Sequence, residues 1–324
     1  LSIYKSRVAD LLRIATSGTG VLPAGALHPD LVNRLASEAA KSAQHVLNMC
    51  IRALDYCPPV GVNFGDYLRA LVTADSDLVP YDDKGYRVAF IEAFRRRGIY
   101  PRDVRTLSVE SLRWRGAIER GDNEYFEQIA EKLRSFVSKF NYFKDRREVF
   151  ERAREIKGRL HEMIANELIN APRFEEITGL AFTPQCPLDD IKRGKGNKPV
   201  FEVHSLRPSR RIGPDGETLN QVIISITQQR NVPIDKDAPE NGKKAARQEE
   251  VETFTFRGGC TLILDLNSLS LRYSIKKSIN DDARLEQQRE FRTGVDGASL
   301  RATYFGQLDQ GTYDEPFALM HRGV

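Results

Sequence analysis

Two periodicities divide this chain. Up to about residue 170 the apolar residues recur at three- and four-residue spacing, which reads as amphipathic helix; from about residue 199 they alternate, which reads as strand. The first helix is predicted over 2–16, where Leu1, Ile3, Tyr4, Val8, Leu11, Leu12 and Ile14 follow a helical apolar pattern. A Ser-Gly-Thr-Gly loop follows, and His28-Pro29-Asp30 opens a long helix, because a proline in the first turn gives up only an N–H that has no helical partner. Pro58-Pro59 stops it. Residues 64–99 form two more helices around an acidic loop. The first carries Tyr67, Leu68, Leu71, Val72 and Leu78; the second carries Tyr86, Val88, Phe90, Ile91 and Phe94. Arg95, Arg96 and Arg97 occupy the last turn and Gly98 lies just beyond, the residue types that suit a helix end with unpaired carbonyls.

Between 102 and 115 arginine dominates, and Trp114 is the large apolar anchor. Helices predicted over 122–140 and 146–170 are joined by a short connection and should form an antiparallel hairpin. Residues 182–198, rich in Pro, Gly and Lys, read as a linker. Strands are predicted at 200–206, 219–228, 253–256, 260–266 and 269–275, the last two as a β-hairpin. A polar insertion near 235–250 reads as mobile, 281–291 as a short helix, and the Gly-containing tail from 293 as weakly ordered. The expected fold is α+β: a helical lobe over 1–178 and a β-rich domain over 179–324, built as a meander or a small sandwich.

Composition alters little. The chain has 324 residues, 49 cationic against 45 anionic, for a net charge of +4. Interspersed charge of that balance reads as a solvated surface; a nucleic-acid partner calls for a more lopsided one. The basic clusters are 95–97, 192–195, 207–211 and Lys243-Lys244. No apolar run reaches membrane-spanning length. Cys50, Cys57, Cys186 and Cys260 lack metal-site spacing. Cys50 and Cys57 lie roughly 10 Å apart by helix rise, too far for a disulfide. Reduced cysteines point to a reducing, cytoplasmic compartment.

Candidate chemistry is sparse. His161-Glu162 begins like a zinc-binding helix, but the second imidazole must follow four residues after the first, and that position is Ala165. His28, His45, His204 and His321 are scattered. Asp75, Asp77, Asp82 and Asp83 form an acidic loop with two readings, a Ca²⁺ site built on clustered oxygens or a solvated helix-capping loop; EF-hand spacing is missing. The glycine pairs at 18–20 and 258–259 are too short to cradle phosphate, and no nucleophile elbow occurs. No catalytic, cofactor-binding or metal-ligating residue is assigned.

One stretch carries a family resemblance. Arg52-Ala53-Leu54 and Tyr56 before Pro58, Phe64 and Arg69 on the next helix, the Thr73-Ala74-Asp75 turn, and a final helix ending in Ala93-Phe94 and Gly98-Ile99 resemble the last helices of gluzincin zinc metallopeptidases, the thermolysin-like and fungalysin-like endopeptidases. The resemblance runs from about Ala39 to Ile99. It implies peptide-bond hydrolysis by a Zn²⁺-activated water, with a His-Glu-x-x-His helix, a Glu ligand and a further His all preceding this region. Because the chain starts within a helical pattern, it is expected to be the C-terminal part of such a protein, inactive alone. Zinc would belong to the full-length protein. Its partners would be the upstream catalytic part and a polypeptide substrate. The alternative is a non-enzymatic module that binds protein or nucleic acid.

Overall fold

The computed structural model describes residues 1–21, 25, 28–117, 126, 127, 130, 131, 134, 145–168, 172–213, 215–235, 252–294, 297 and 298. The fold is α+β, helical first and β-rich afterwards. The helices are α1 (Ser2–Ala15), α2 (Pro29–Ala53), α3 (Phe64–Leu78), α4 (Tyr86–Arg95), α5 (Val109–Leu112), α6 (Arg146–Met163), α7 (Pro172–Thr178) and α8 (Asp282–Thr293). The strands β1 (Phe201–Ile212), β2 (Thr218–Pro233), β3 (Thr253–Asp265) and β4 (Ser270–Lys277) form one antiparallel sheet in chain order, a meander.

Local chemistry sets the helix ends. The His28 ring accepts a hydrogen bond from the Asp30 N–H at 3.2 Å and Pro29 fills the first turn of α2. A 3₁₀ turn, Leu54–Tyr56, ends that helix before Pro58. Asn63 and Asp66 make a reciprocal capping box on α3. The Asp82 carboxylate accepts the first free N–H groups of α4, from Tyr86 at 2.8 Å and Arg87 at 2.9 Å. At its other end Gly98 takes φ +68° while Ile99 N–H reaches back to the Phe94 carbonyl, a left-handed cap.

The chain divides into two compact units: 1–159 with 204–225 and 261–275, and 160–203 with 226–260 and 276–324. The expected boundary at 178 does not coincide with this division, since all four strands contribute residues to both units. In the first unit Met49, Ala53, Tyr56, Ala70, Leu71 and Ala74 from the helices bury one core with Ile223, Ile263 and Ile275 of the sheet. Leu68, Val72, Ile91 and Leu112 bury a second. Each buried Leu, Ile, Val or Met among them contributes about 1.5–3 kcal/mol relative to exposure.

In the second unit Phe174, Phe182 and Phe201 form an aromatic cluster with ring separations of 5.0 Å, and His161 stacks on Phe201 at 4.3 Å. The expected linker at 182–198 is ordered: Arg193 donates to the carbonyls of Pro184, Cys186 and Asn197, and Phe182 and Ile191 are buried. Arginine, with five donors, gathers loop carbonyls that a composition-based reading leaves to solvent. The two strand signals at 253–256 and 260–266 are one strand, β3, running through Gly258-Gly259. Gly258 lies against Ile279, where a Cβ would come within 2.7 Å of backbone, so glycine there marks close approach and not a break. The helix expected at 122–140 lies largely outside the described residues, although Phe126, Glu127, Ala130, Glu131 and Arg134 are helical. The hairpin it would make, most of the 235–250 insertion and nearly all of the tail also lie outside them.

Candidate functional site

The most unusual chemistry lies along α3. Aspartate is a poor helix former, yet two aspartates, Asp75 and Asp77, sit in its last turns with their side chains 2% and 1% exposed. Burying a carboxylate costs several kcal/mol unless donors surround it.

Asp77 is surrounded. One oxygen accepts from the Tyr56 hydroxyl at 2.7 Å; the other accepts from the Tyr273 hydroxyl at 2.7 Å and the Arg272 guanidinium at 2.8 Å. Burial raises the Tyr56 and Tyr273 hydroxyls, and the Asp77 charge raises them further, so both stay protonated as donors. Burial works against the charge on Arg272, but Asp77 and the two tyrosines outweigh it and hold its proton more tightly.

Asp75 is not surrounded. The Arg87 Nε approaches one oxygen at 3.1 Å. The other oxygen is buried with no hydrogen-bond partner. It faces the His45 Nε2 at 3.9 Å, beyond hydrogen-bond reach. Burial pushes the Asp75 carboxyl up to about 6; Arg87 pulls it down and Asp82 adds to the rise. Burial and then Arg52 lower the His45 imidazole, whose ring lies 4.1 Å from that of Tyr86. Arg87 also donates to the Ser76 hydroxyl and the Val79 carbonyl, which ties the loop after α3 to the start of α4.

The acidic loop therefore resolves into separate roles. Asp75 and Asp77 turn into the protein toward different partners, Asp82 caps α4 and Asp83 is exposed. Asp75 and Asp82 share Arg87, at 3.1 and 3.9 Å from its Nε, and Asp77 turns to other partners, so the four do not converge on one point. Among the described residues no group of three or more His, Cys, Asp or Glu side chains could hold a metal ion. These residues do not fit a zinc or calcium site.

The other candidates separate in the same way. His28 caps α2, His161 stacks on Phe201, and His204 lies on β1, its carbonyl accepting from Lys157. His321 and Lys243-Lys244 lie outside the described residues. No disulfide joins the cysteines; burial pushes the Cys57 thiol up to about 12, which leaves it unreactive at neutral pH. Arg95 and Arg96 both pair with Glu92, while Arg207 and Arg211 both pair with Asp55. Among the described residues no helix is long and apolar enough to cross a membrane.

Sequence reasoning missed a cleft of about 320 Å³ in the first unit, between the 54–59 segment and one face of β1, β2 and β3. The signal was available as Ser205, Ser225 and Thr261, hydroxyls inside otherwise apolar or basic strands.

Compared with protein-family models, curated protein sequences and solved structures, the chain finds no match. The resemblance to gluzincins therefore rests on the residues that carry it. Tyr56 and Ala53 are fully buried, Arg69 stacks over Trp114 at 3.8 Å, and the Thr73 hydroxyl accepts from the Trp114 N–H at 2.9 Å. Leu54 and Phe64 are exposed.

Proposed function

We propose that this chain is the C-terminal part of a zinc metalloendopeptidase-like protein, supplying its helical lobe and an additional β-rich region. The observation that carries the reading is the joint role of the resemblance residues. Ala53, Tyr56 and Ala74 share one buried core, Arg69 and Thr73 fix Trp114 beside it, and Gly98 ends α4. A set of positions that acts together in packing is what a lobe inherited as a unit would keep. On this reading the zinc ligands and the general base lie in the upstream polypeptide, and this chain alone hydrolyses nothing.

The test is the polypeptide encoded by the whole reading frame that contains this chain. It should carry a His-Glu-x-x-His helix, bind about one zinc per chain and cleave an unstructured polypeptide in a chelator-sensitive manner. A full-length protein with neither that helix nor bound zinc sinks the proposal. The alternative is a non-enzymatic module that binds protein or nucleic acid; in the basic clusters Arg95 and Arg96 pair with Glu92, Arg207 and Arg211 with Asp55, and Arg193 with loop carbonyls.

A further inference from the structure

The cleft beside the 54–59 segment is built from a regular row of side chains. Gly213 N–H pairs with the Glu217 carbonyl at the turn between β1 and β2. Carried back along the strands, that register sets Ser205 opposite Ser225. Leu266 pairs with Asn220 at one end of β2 and β3, and Ile234 with Glu252 at the other, which sets Ser225 opposite Thr261. All three side chains therefore share one face of the sheet, and all three line the cleft. Thr261 spends its proton on the Cys57 carbonyl at 2.8 Å. The Ser205 and Ser225 hydroxyls have no hydrogen-bond partner among the described residues, although Ser225 is only 7% exposed. Both residues line the cleft, so each hydroxyl can donate to an acceptor bound there.

The charge beside this row is specific. Arg207 and Arg211 stand on the same face of β1 and both engage Asp55, Arg207 at 3.1 Å. Two guanidinium groups against one carboxylate leave a local charge of +1. The Arg207 side chain is 55% exposed and lines the cleft, so its donor fork can serve a ligand there as well as Asp55. Leu54, Pro58 and Pro59 add an apolar wall that offers no N–H from either proline.

We infer that this cleft binds a small organic carboxylate, its oxygens held by Arg207 and the Ser205 and Ser225 hydroxyls and its apolar body against the proline wall. A single negative charge balances the Arg207, Arg211 and Asp55 group. The inference does not rest on the endopeptidase reading.

Sodium butyrate is the first probe, titrated into the ¹⁵N-labelled chain and followed by amide shifts. The shifts should concentrate on residues 204–207, 225 and 261. Arg207→Gln and Ser225→Ala should each weaken binding about tenfold, the loss expected for one charge-assisted or buried hydrogen bond. Arg210→Gln, on the opposite face of β1, should leave affinity within about twofold. Butyramide, equal in shape but neutral, should not bind. A peptide ending in a free valine carboxylate separates the two sources of the group: tighter binding than butyrate identifies a chain terminus, and exclusion of the peptide identifies a free small acid. The inference is overturned if butyramide binds as well as butyrate or inorganic phosphate binds more tightly. It is also overturned if Arg207→Gln changes nothing, or if no amide moves at about 0.1 M butyrate, far above a millimolar dissociation constant.

Discussion

Asp75 and Asp77 are two residues apart on α3 and equally buried, yet they have solved the burial of charge in opposite ways. Asp77 accepts three hydrogen bonds, two from tyrosines and one from an arginine, so donors surround both of its oxygens. Asp75 has one cation at 3.1 Å and one oxygen with no hydrogen bond, and it gives up part of its charge by titrating near 6. The number of donors, more than depth, decides which course a buried carboxylate takes. The Asp77 cluster ties α3 to the 3₁₀ turn and to β4, so it works as a structural joint. Asp75 can change its protonation near neutral pH without disturbing that joint.

The largest effect should come from breaking the satisfied member. Asp77→Ala leaves the Tyr56 and Tyr273 hydroxyls and the Arg272 guanidinium buried without their acceptor. Urea denaturation should show a loss of about 3–5 kcal/mol, the range for removing one partner of a buried charge network. A loss below about 1 kcal/mol would mean that water reaches these groups and that Asp77 is not the joint.

Arg87→Met comes next, and its effect depends on pH. The folded Asp75 carboxyl titrates near 6, above its ordinary value near 4. A raised acid contributes stability in full below about pH 4 and loses it as pH rises through about 6, a decline of about 3 kcal/mol in the native protein. Removing Arg87 raises that carboxyl further and extends the decline upward. The variant should therefore be destabilised by about 1–2 kcal/mol more at pH 8 than at pH 5, where Asp75 is already protonated. Parallel stability curves at the two values would show that Arg87 acts only through its bonds to Ser76 and Val79.

These two clusters also mark what the sequence could tell. The helices around them were legible because Leu68, Leu71 and Val72 recur on one face and because Pro58 and Gly98 punctuate the ends. The alternation over 200–206 and 219–228 announced the sheet, although β2 runs on to Pro233 and β3 passes through two glycines. The partners of the aspartates were not legible. Arg272 and Tyr273 lie almost two hundred residues from Asp77, and no local period links them. An acidic loop read from spacing alone looks like a cation site or a cap; only the turn of each side chain separates Asp75 and Asp77 from Asp82. The cleft was hidden for the same reason, since Ser205, Ser225 and Thr261 meet only through strand register.

The smallest expected effect sharpens the comparison most, because it asks whether Asp75 titrates alone. His45 Nε2 stands 3.9 Å from the unpaired Asp75 oxygen, too far to donate. Its imidazole is lowered by burial and by Arg52, so it is neutral at pH 7 and exerts little charge on its neighbour. Asp75 is governed by burial first, then by Arg87 and Asp82. His45→Gln should then move the Asp75 midpoint, read from its ¹³C carboxyl shift, by less than about half a unit and stability by less than about 1 kcal/mol. A midpoint that moves by more than about one unit would mean that the two groups share a proton and titrate as a pair. In that case Asp75 was never short of a donor, and its contrast with Asp77 would be one of partner and not of number.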